Sequence, residues 1–234
     1  MQPSADPGRA TTGLVRRMIS VVPGSRFEGT AGSGGELWFM IAGSGRLDTG
    51  GPGQRAAPVA PDTGMWLPPG CRYRLDADSD VRLDAVALPA AQLPAAGLPA
   101  DEAGATATAH GPRIVQLGDC EVEQTGDRHF RVLFGPGRGC GAATQFVGHI
   151  PPGRAPEHIH PYDEVVLILD GEGVAHAGGS DQALAPGTRV HLPRGLPHCL
   201  ENTGRDTLVV LGVFHPGGSP AAKSGRATTQ QARP

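Results

Sequence analysis

The stretch that decides the fold reads GRAPEHIHPYDE over residues 153–164 and continues VVLILDGEG over residues 165–173. His158 and His160 are two apart, and Glu164 lies four further on. On extended backbone, positions i and i+2 share a face, so all three side chains can reach one ion if Pro161 does not shift the register. Val166 and Ile168 continue that parity and are expected to line an apolar cavity; Gly171 and Gly173 mark the following turn. A second stretch, GTRVHLPRGLPHCLEN over residues 187–202, reads as a strand, a Pro-Gly turn and a return strand opening on His198. Cys199 then points away from His198, which argues against it as a ligand.

Three imidazoles and one carboxylate (His158, His160, His198 and Glu164) suit one divalent transition metal. Fe(II) and Mn(II) lead, with Ni, Co, Cu or Zn also compatible; Ca and Mg are disfavoured because they take oxygen ligands. Four protein ligands on an octahedral ion leave two positions open, as a catalytic metal requires. Glu164, His149 and His191 are the catalytic candidates. Glu164 can accept a proton while ligating, and His149 and His191 sit before the turns at Pro151 and Pro193. Tyr162 and Asp163 read as solvated loop residues, and Arg154 and Arg194 as surface charges in turns. His110, His129, His176 and His215 read as peripheral, and Asn202 as a residue that ties down the loop after its strand.

Both stretches resemble the two motifs of the cupin superfamily. The first motif is Gly, a short spacer, His-x-His, three or four residues, Glu, six residues, Gly. The second is Gly, five residues, Pro-x-Gly, two residues, His, three residues, Asn. Residues 187–202 fit the second motif position by position, while Gly153 to His158 is one residue shorter than usual. The resemblance implies an all-β fold of the conserved-barrel, jelly-roll type, with metal ligation by His158, His160, Glu164 and His198.

The amino-terminal half echoes this pattern. Glu36, LWFMIA (37–42), Gly43 and Gly45 read against Glu164, VVLILD, Gly171 and Gly173. PDTGMWLPPGCRY (61–73) reads against PGTRVHLPRGLPH (186–198). Matched blocks in the same order argue for a duplication, and two such units resemble the bicupins: two tandem cupin-type jelly-roll β-barrels. In the first half the His-x-His positions fall at Thr30 and Gly32 and the last histidine is replaced by Tyr73, so that unit is expected to be degenerate and to bind no metal. Trp38, Phe39 and Trp66 read as its core. The expected domains are a degenerate barrel over 13–90, an Ala/Pro-rich linker over 91–112, a metal-binding barrel over 113–216 and a tail over 217–234.

Composition agrees with a turn-rich β protein. Gly 36 and Pro 23 in 234 residues punctuate short apolar runs, and 38% apolar residues suffice for two small cores. A net charge of −3 without like-charged blocks gives no sign of a nucleic-acid partner. No apolar stretch of membrane-spanning length occurs, so a cytoplasmic location without membrane partner is expected. The dispersed cysteines, Cys71, Cys120, Cys140 and Cys199, read as reduced thiols. The expected activity is dioxygen-dependent oxidation of a small organic substrate, as a dioxygenase or oxidase. A non-redox isomerase, cyclase, lyase or hydrolase is the alternative, and a non-catalytic binding cupin the second. A homodimer is the expected assembly.

Overall fold

The computed structural model describes residues 13–50, 55–90 and 113–221. The amino-terminal segment 1–12, the linker 91–112 and the tail from 222 lie outside the described residues. The first unit holds β1 (Val15–Val21), β2 (Arg26–Thr30), β3 (Glu36–Ala42), β4 (Gly45–Asp48), β5 (Ala57–Val59), β6 (Thr63–Leu67), β7 (Arg72–Ala77) and β8 (Val81–Ala87). After β9 (Arg113–Gln116) the second unit holds β10 (Glu123–Thr125), β11 (Arg128–Phe134), β12 (Thr144–Ile150), β13 (Gly153–Arg154), β14 (Asp163–Asp170), β15 (Gly173–Ala177), β16 (Ser180–Leu184), β17 (Arg189–Leu192), β18 (His198–Asn202) and β19 (Leu208–His215).

Each unit folds two sheets face to face. The larger sheets run β1-β8-β3-β6-β9 and β10-β11-β12-β19-β14-β17, and the smaller run β2-β7-β4-β5 and β13-β18-β15-β16. The all-β, tandem cupin-type jelly-roll fold is therefore present, and its repeat extends to register. Glu36 faces Leu67 and Ala87; Glu164 faces Leu192 and Phe214. The pairing with the neighbouring strand shifts between Met40 and Ala42 in one unit and between Ile168 and Asp170 in the other. Gly43 and Gly171 follow these bulges at φ 83° and 85°. A Cβ at Gly171 would press on the Leu208 backbone, so both conformation and space call for glycine.

The apolar runs LWFMIA and VVLILD lack the alternation of a half-buried strand because both faces are buried. Trp38 and Met40 point into the first barrel with Met65, Leu75 and Leu83. Val166 and Ile168 point into the second with Val190, Leu192 and Val210. The opposite parity, Leu37 and Phe39 with Val165 and Leu167, forms a third layer between the units with Trp66, Phe134, Leu211 and Val213. Phe39 and Trp66, expected in the first barrel's core, thus belong to the layer that joins the barrels. Strand β9 also differs from expectation. Its residues open the sequence-defined second domain, yet they pair with β6 of the first sheet, Trp66 opposite Arg113 and Thr63 opposite Gln116.

Candidate metal centre

His158 and His198 are placed by a two-way backbone bridge. The His158 N–H donates to the His198 carbonyl and the His198 N–H to the His158 carbonyl, each at 3.0 Å. The Gly195 N–H donates to the His160 carbonyl at 2.8 Å. These bonds pin the His-x-His segment to the turn before β18. The segment itself is not a strand, as the i, i+2 argument assumed: His158 makes an isolated bridge. Pro156 and Pro161 flank the pair and have no N–H to continue a ladder.

The ligand atoms of His158, His160 and His198 lie within 4.8 Å of one another. Nδ1 of His158 donates to the Pro156 carbonyl at 3.0 Å, and Nδ1 of His198 to the Leu196 carbonyl at 2.8 Å. A carbonyl only accepts, so both rings carry their proton on Nδ1 and keep an Nε2 lone pair for an ion. Glu164 starts the core of β14 and is 6% exposed. Its Oε2 lies 3.3 Å from Nδ1 of His160, a buried nitrogen with no hydrogen-bond partner.

The electrostatics of this cluster call for a cation. Burial pushes Glu164 up to about 7, against the pull of Arg16 from β1. Burial and the two neighbouring imidazoles push His160 down to about 3. Burial also lowers His198, opposed by its bond to the Leu196 carbonyl. Neutral imidazoles, a desolvated carboxylate and an orphaned buried nitrogen are what a metal site leaves when only its donors are considered. The residues fit the ion.

A cavity of about 120 Å³ opens on the cluster. Its walls are mostly apolar, with Phe130, Phe146, Phe214 and Val210 prominent, and His149 reaches it from β12. His149 stacks on His129, its cross-strand partner, at 4.5 Å and 9° between ring planes. Its buried Nδ1 has no partner, and burial, then His129 and Arg131, hold it below the usual imidazole range.

Several expectations need correction. His191 does not line this cavity. It projects from the exposed side of β17, between the inward Val190 and Leu192, toward a separate hollow with Leu14, Arg16 and Arg189. Val166 and Ile168 fill the barrel core rather than line the cavity. Tyr162 is buried, its ring stacked between His160 at 4.4 Å and Phe214 at 4.1 Å. Asp163 is buried too. It accepts from the Arg194 backbone N–H at 3.0 Å and from the guanidinium at 2.6 and 3.1 Å, tying the two motif stretches together. Arg154 is an exposed charge, as read from the sequence, and points at Glu201, 3.9 Å away. His129, read as peripheral, lines the cavity, as does Arg128, which sequence reasoning missed. The hairpin TGDR over residues 125–128 was the available signal, because it sets a cationic residue at the start of a barrel strand. Asn202 donates to the carbonyls of Ile150 and Asp206, both at 2.8 Å, and does not line the cavity.

The first unit puts other chemistry at the equivalent positions. Glu36 accepts from Arg17 and from the Trp38 indole N–H, each at 2.7 Å. Tyr73 packs edge-on to Trp38 at 4.7 Å and stacks on Phe27 at 5.6 Å. An ion pair and three aromatic rings occupy the place where the second unit gathers its imidazoles.

A family model described as "Cupin domain" matches residues 146–214. A search of curated proteins finds no match. Among solved structures the chain is similar to a single-residue mutant of Bacillus subtilis oxalate decarboxylase, with 15% identity and a TM-score of 0.68, covering 89% of this chain and 70% of that one. The same enzyme at pH 4.6 gives 15% identity and a TM-score of 0.67, covering 88% and 69%. A third structure of it, from work on the Mn(II) centers of that enzyme, gives 15% and 0.68, covering 89% and 70%. Such likeness carries the fold. Residues 146–214 match the cupin domain model, and they lie within a chain whose fold is two repeats of the cupin-type jelly roll.

Proposed function

We propose that this protein is a metal-dependent enzyme, arranged as a bicupin with a degenerate first unit, that oxidises a small organic substrate with dioxygen. The observation that carries the reading is the cluster itself: three imidazole donors within 4.8 Å of one another, beside a buried carboxylate, at one end of an apolar cavity. His158, His160, His198 and Glu164 would hold one Fe(II) or Mn(II). The Mn(II) centers named for the oxalate decarboxylase of the same fold support that choice. Bound there, the ion supplies Lewis acidity and redox capacity.

The chain's own residues do the rest. Phe130, Phe146 and Phe214 exclude bulk water, which strengthens every electrostatic contact inside the cavity. Tyr162 holds the His160 ring in plane by stacking. The Asp163–Arg194 clamp fixes the turn that delivers His198 next to the strand that delivers Glu164.

A second reading, non-redox isomerisation, cyclisation, elimination or hydrolysis, is favoured by His149. A cavity-lining imidazole with an unpartnered Nδ1 and a lowered pKa is suited to accept and return a proton. Oxygen-electrode traces of Fe(II)- or Mn(II)-loaded protein with a panel of small enols, phenols and organic acids test the two. Metal-dependent oxygen uptake, lost in His158→Ala, supports the first. Turnover without oxygen uptake, lost in His149→Gln, moves the assignment to the second.

A further inference from the structure

Arg128 stands first in β11, paired with Thr125 across the turn at Gly126 and Asp127, and it lines the cavity above the histidine cluster. Its side chain makes no ion pair or hydrogen bond among the described residues. Four arginines of the unit are engaged, Arg131 with the Leu117, Gly118 and Cys120 carbonyls, Arg138 with Glu123, Arg154 with Glu201 and Arg194 with Asp163, and none of the four lines the cavity. Asp127, its chain neighbour, is exposed at the turn and is not within ion-pair distance. Glu164 is the one acidic residue among those lining the cavity, and it is committed to the imidazole cluster. Desolvation holds the Arg128 guanidinium below its ordinary pKa, only partly offset by the Asp127 charge next to it in the chain and by Cys199. The remaining wall is largely aromatic and aliphatic.

We infer that the cavity takes a small organic acid, its carboxylate on the Arg128 guanidinium and its apolar body against Phe146 and Phe214. A planar five-donor fork is suited to both oxygens of a carboxylate, and a partly desolvated site strengthens the pair. This deepens the proposed function by naming the substrate class, and it rests on that reading for the position of the reacting end. Arg128 lines the cavity without belonging to the histidine cluster, so the two ideas can be tested apart.

The test is calorimetric titration of the full chain with benzoate and with its neutral isostere benzamide, on metal-loaded and on chelated protein. The expected result is a preference for benzoate of about tenfold or more in both forms. Arg128→Gln should erase the preference in chelated protein while leaving benzamide affinity and the circular dichroism spectrum unchanged, and Arg128→Lys should retain part of it. A benzoate preference that survives Arg128→Gln in chelated protein overturns the inference, as does a wild type that favours neither probe or binds neither. Failure of metal uptake alone, with the chelated-protein preference intact, counts against the metal reading and not against Arg128.

Discussion

Removing the Asp163 carboxylate should loosen the metal centre from outside it. Asp163 immediately precedes Glu164, and Arg194 sits four residues before His198. The Asp163 side chain is 5% exposed and receives three hydrogen bonds, one from the Arg194 backbone and two from its guanidinium. The Arg194 side chain is 60% exposed, so solvent screening limits the ion pair to roughly 0–1 kcal/mol. The backbone N–H matters more, because its bond ends on a buried carboxylate and a hydrogen bond to a charged group contributes about 1.5–3 kcal/mol. Asp163→Asn keeps an oxygen for that N–H and should cost about 1 kcal/mol. Asp163→Ala loses both and should cost about 2–4 kcal/mol. Since the clamp orients two ligand-bearing segments, Asp163→Ala should also weaken metal affinity by roughly 10–100-fold, the usual effect of losing an outer-shell partner. Urea unfolding of chelated protein and competitive metal titration measure the two effects. If Asp163→Ala and Asp163→Asn lose equal stability, or if metal affinity is unchanged in both, the clamp argument fails.

Acid should act on the same residue. Burial pushes Asp163 up, but the Arg194 bonds outweigh it and its folded pKa lies below the ordinary value. Its stabilisation is therefore present above the unfolded pKa of about 3.9 and lost as pH falls through the folded one. For His160, folded at about 3, the unfolded chain binds the extra proton between that value and 6.5, so stability should fall on acidification across this range. Glu164, folded at about 7, opposes this between 4.5 and 7. In chelated protein, His160→Gln should flatten the pH dependence of the unfolding midpoint below about pH 4.5, where Glu164 no longer opposes it, and an unaltered slope there would contradict the assignment. Leu211→Ala, fully buried in the layer between the units, should cost about 2–5 kcal/mol in urea unfolding; a loss below about 1 kcal/mol would mean the layer is not a packed core. Gly212→Ala would drive a methyl into the Phe146 ring and to 3.1 Å from Glu164 Oε1. It should lower metal affinity, while Tyr73→Phe in the other unit leaves it unchanged, as read by the same titration.

How much of this could be seen in the sequence varies residue by residue. The ligand spacing was legible because turns flanked by Gly and Pro carry fixed geometry, and the repeat because a strand buried on both faces leaves an apolar run at a set distance from a glutamate. The run did not say which neighbour each face meets. Phe39 and Val165 look like barrel residues until two sheets are seen back to back, and β9 looks like the start of one unit until it pairs with the other. His191 was misplaced by one residue of strand parity, since β17 turns Val190 and Leu192 inward. Arg154 and Arg194 drew attention by adjacency to the motifs, whereas Arg128, thirty residues before His158, meets the cavity only through the pairing of β11 with β12. Long-range strand pairing is the information that local spacing lacks.

Metal analysis bears most directly on the claim that four side chains of the second unit hold one ion. Protein purified without added metal and then loaded with Fe(II) or Mn(II) should retain close to one ion per chain after desalting. His158→Ala, His160→Ala and His198→Ala should each lose it, while Tyr73→Phe keeps it. A wild type that retains no metal, or histidine variants that retain it in full, would contradict the account.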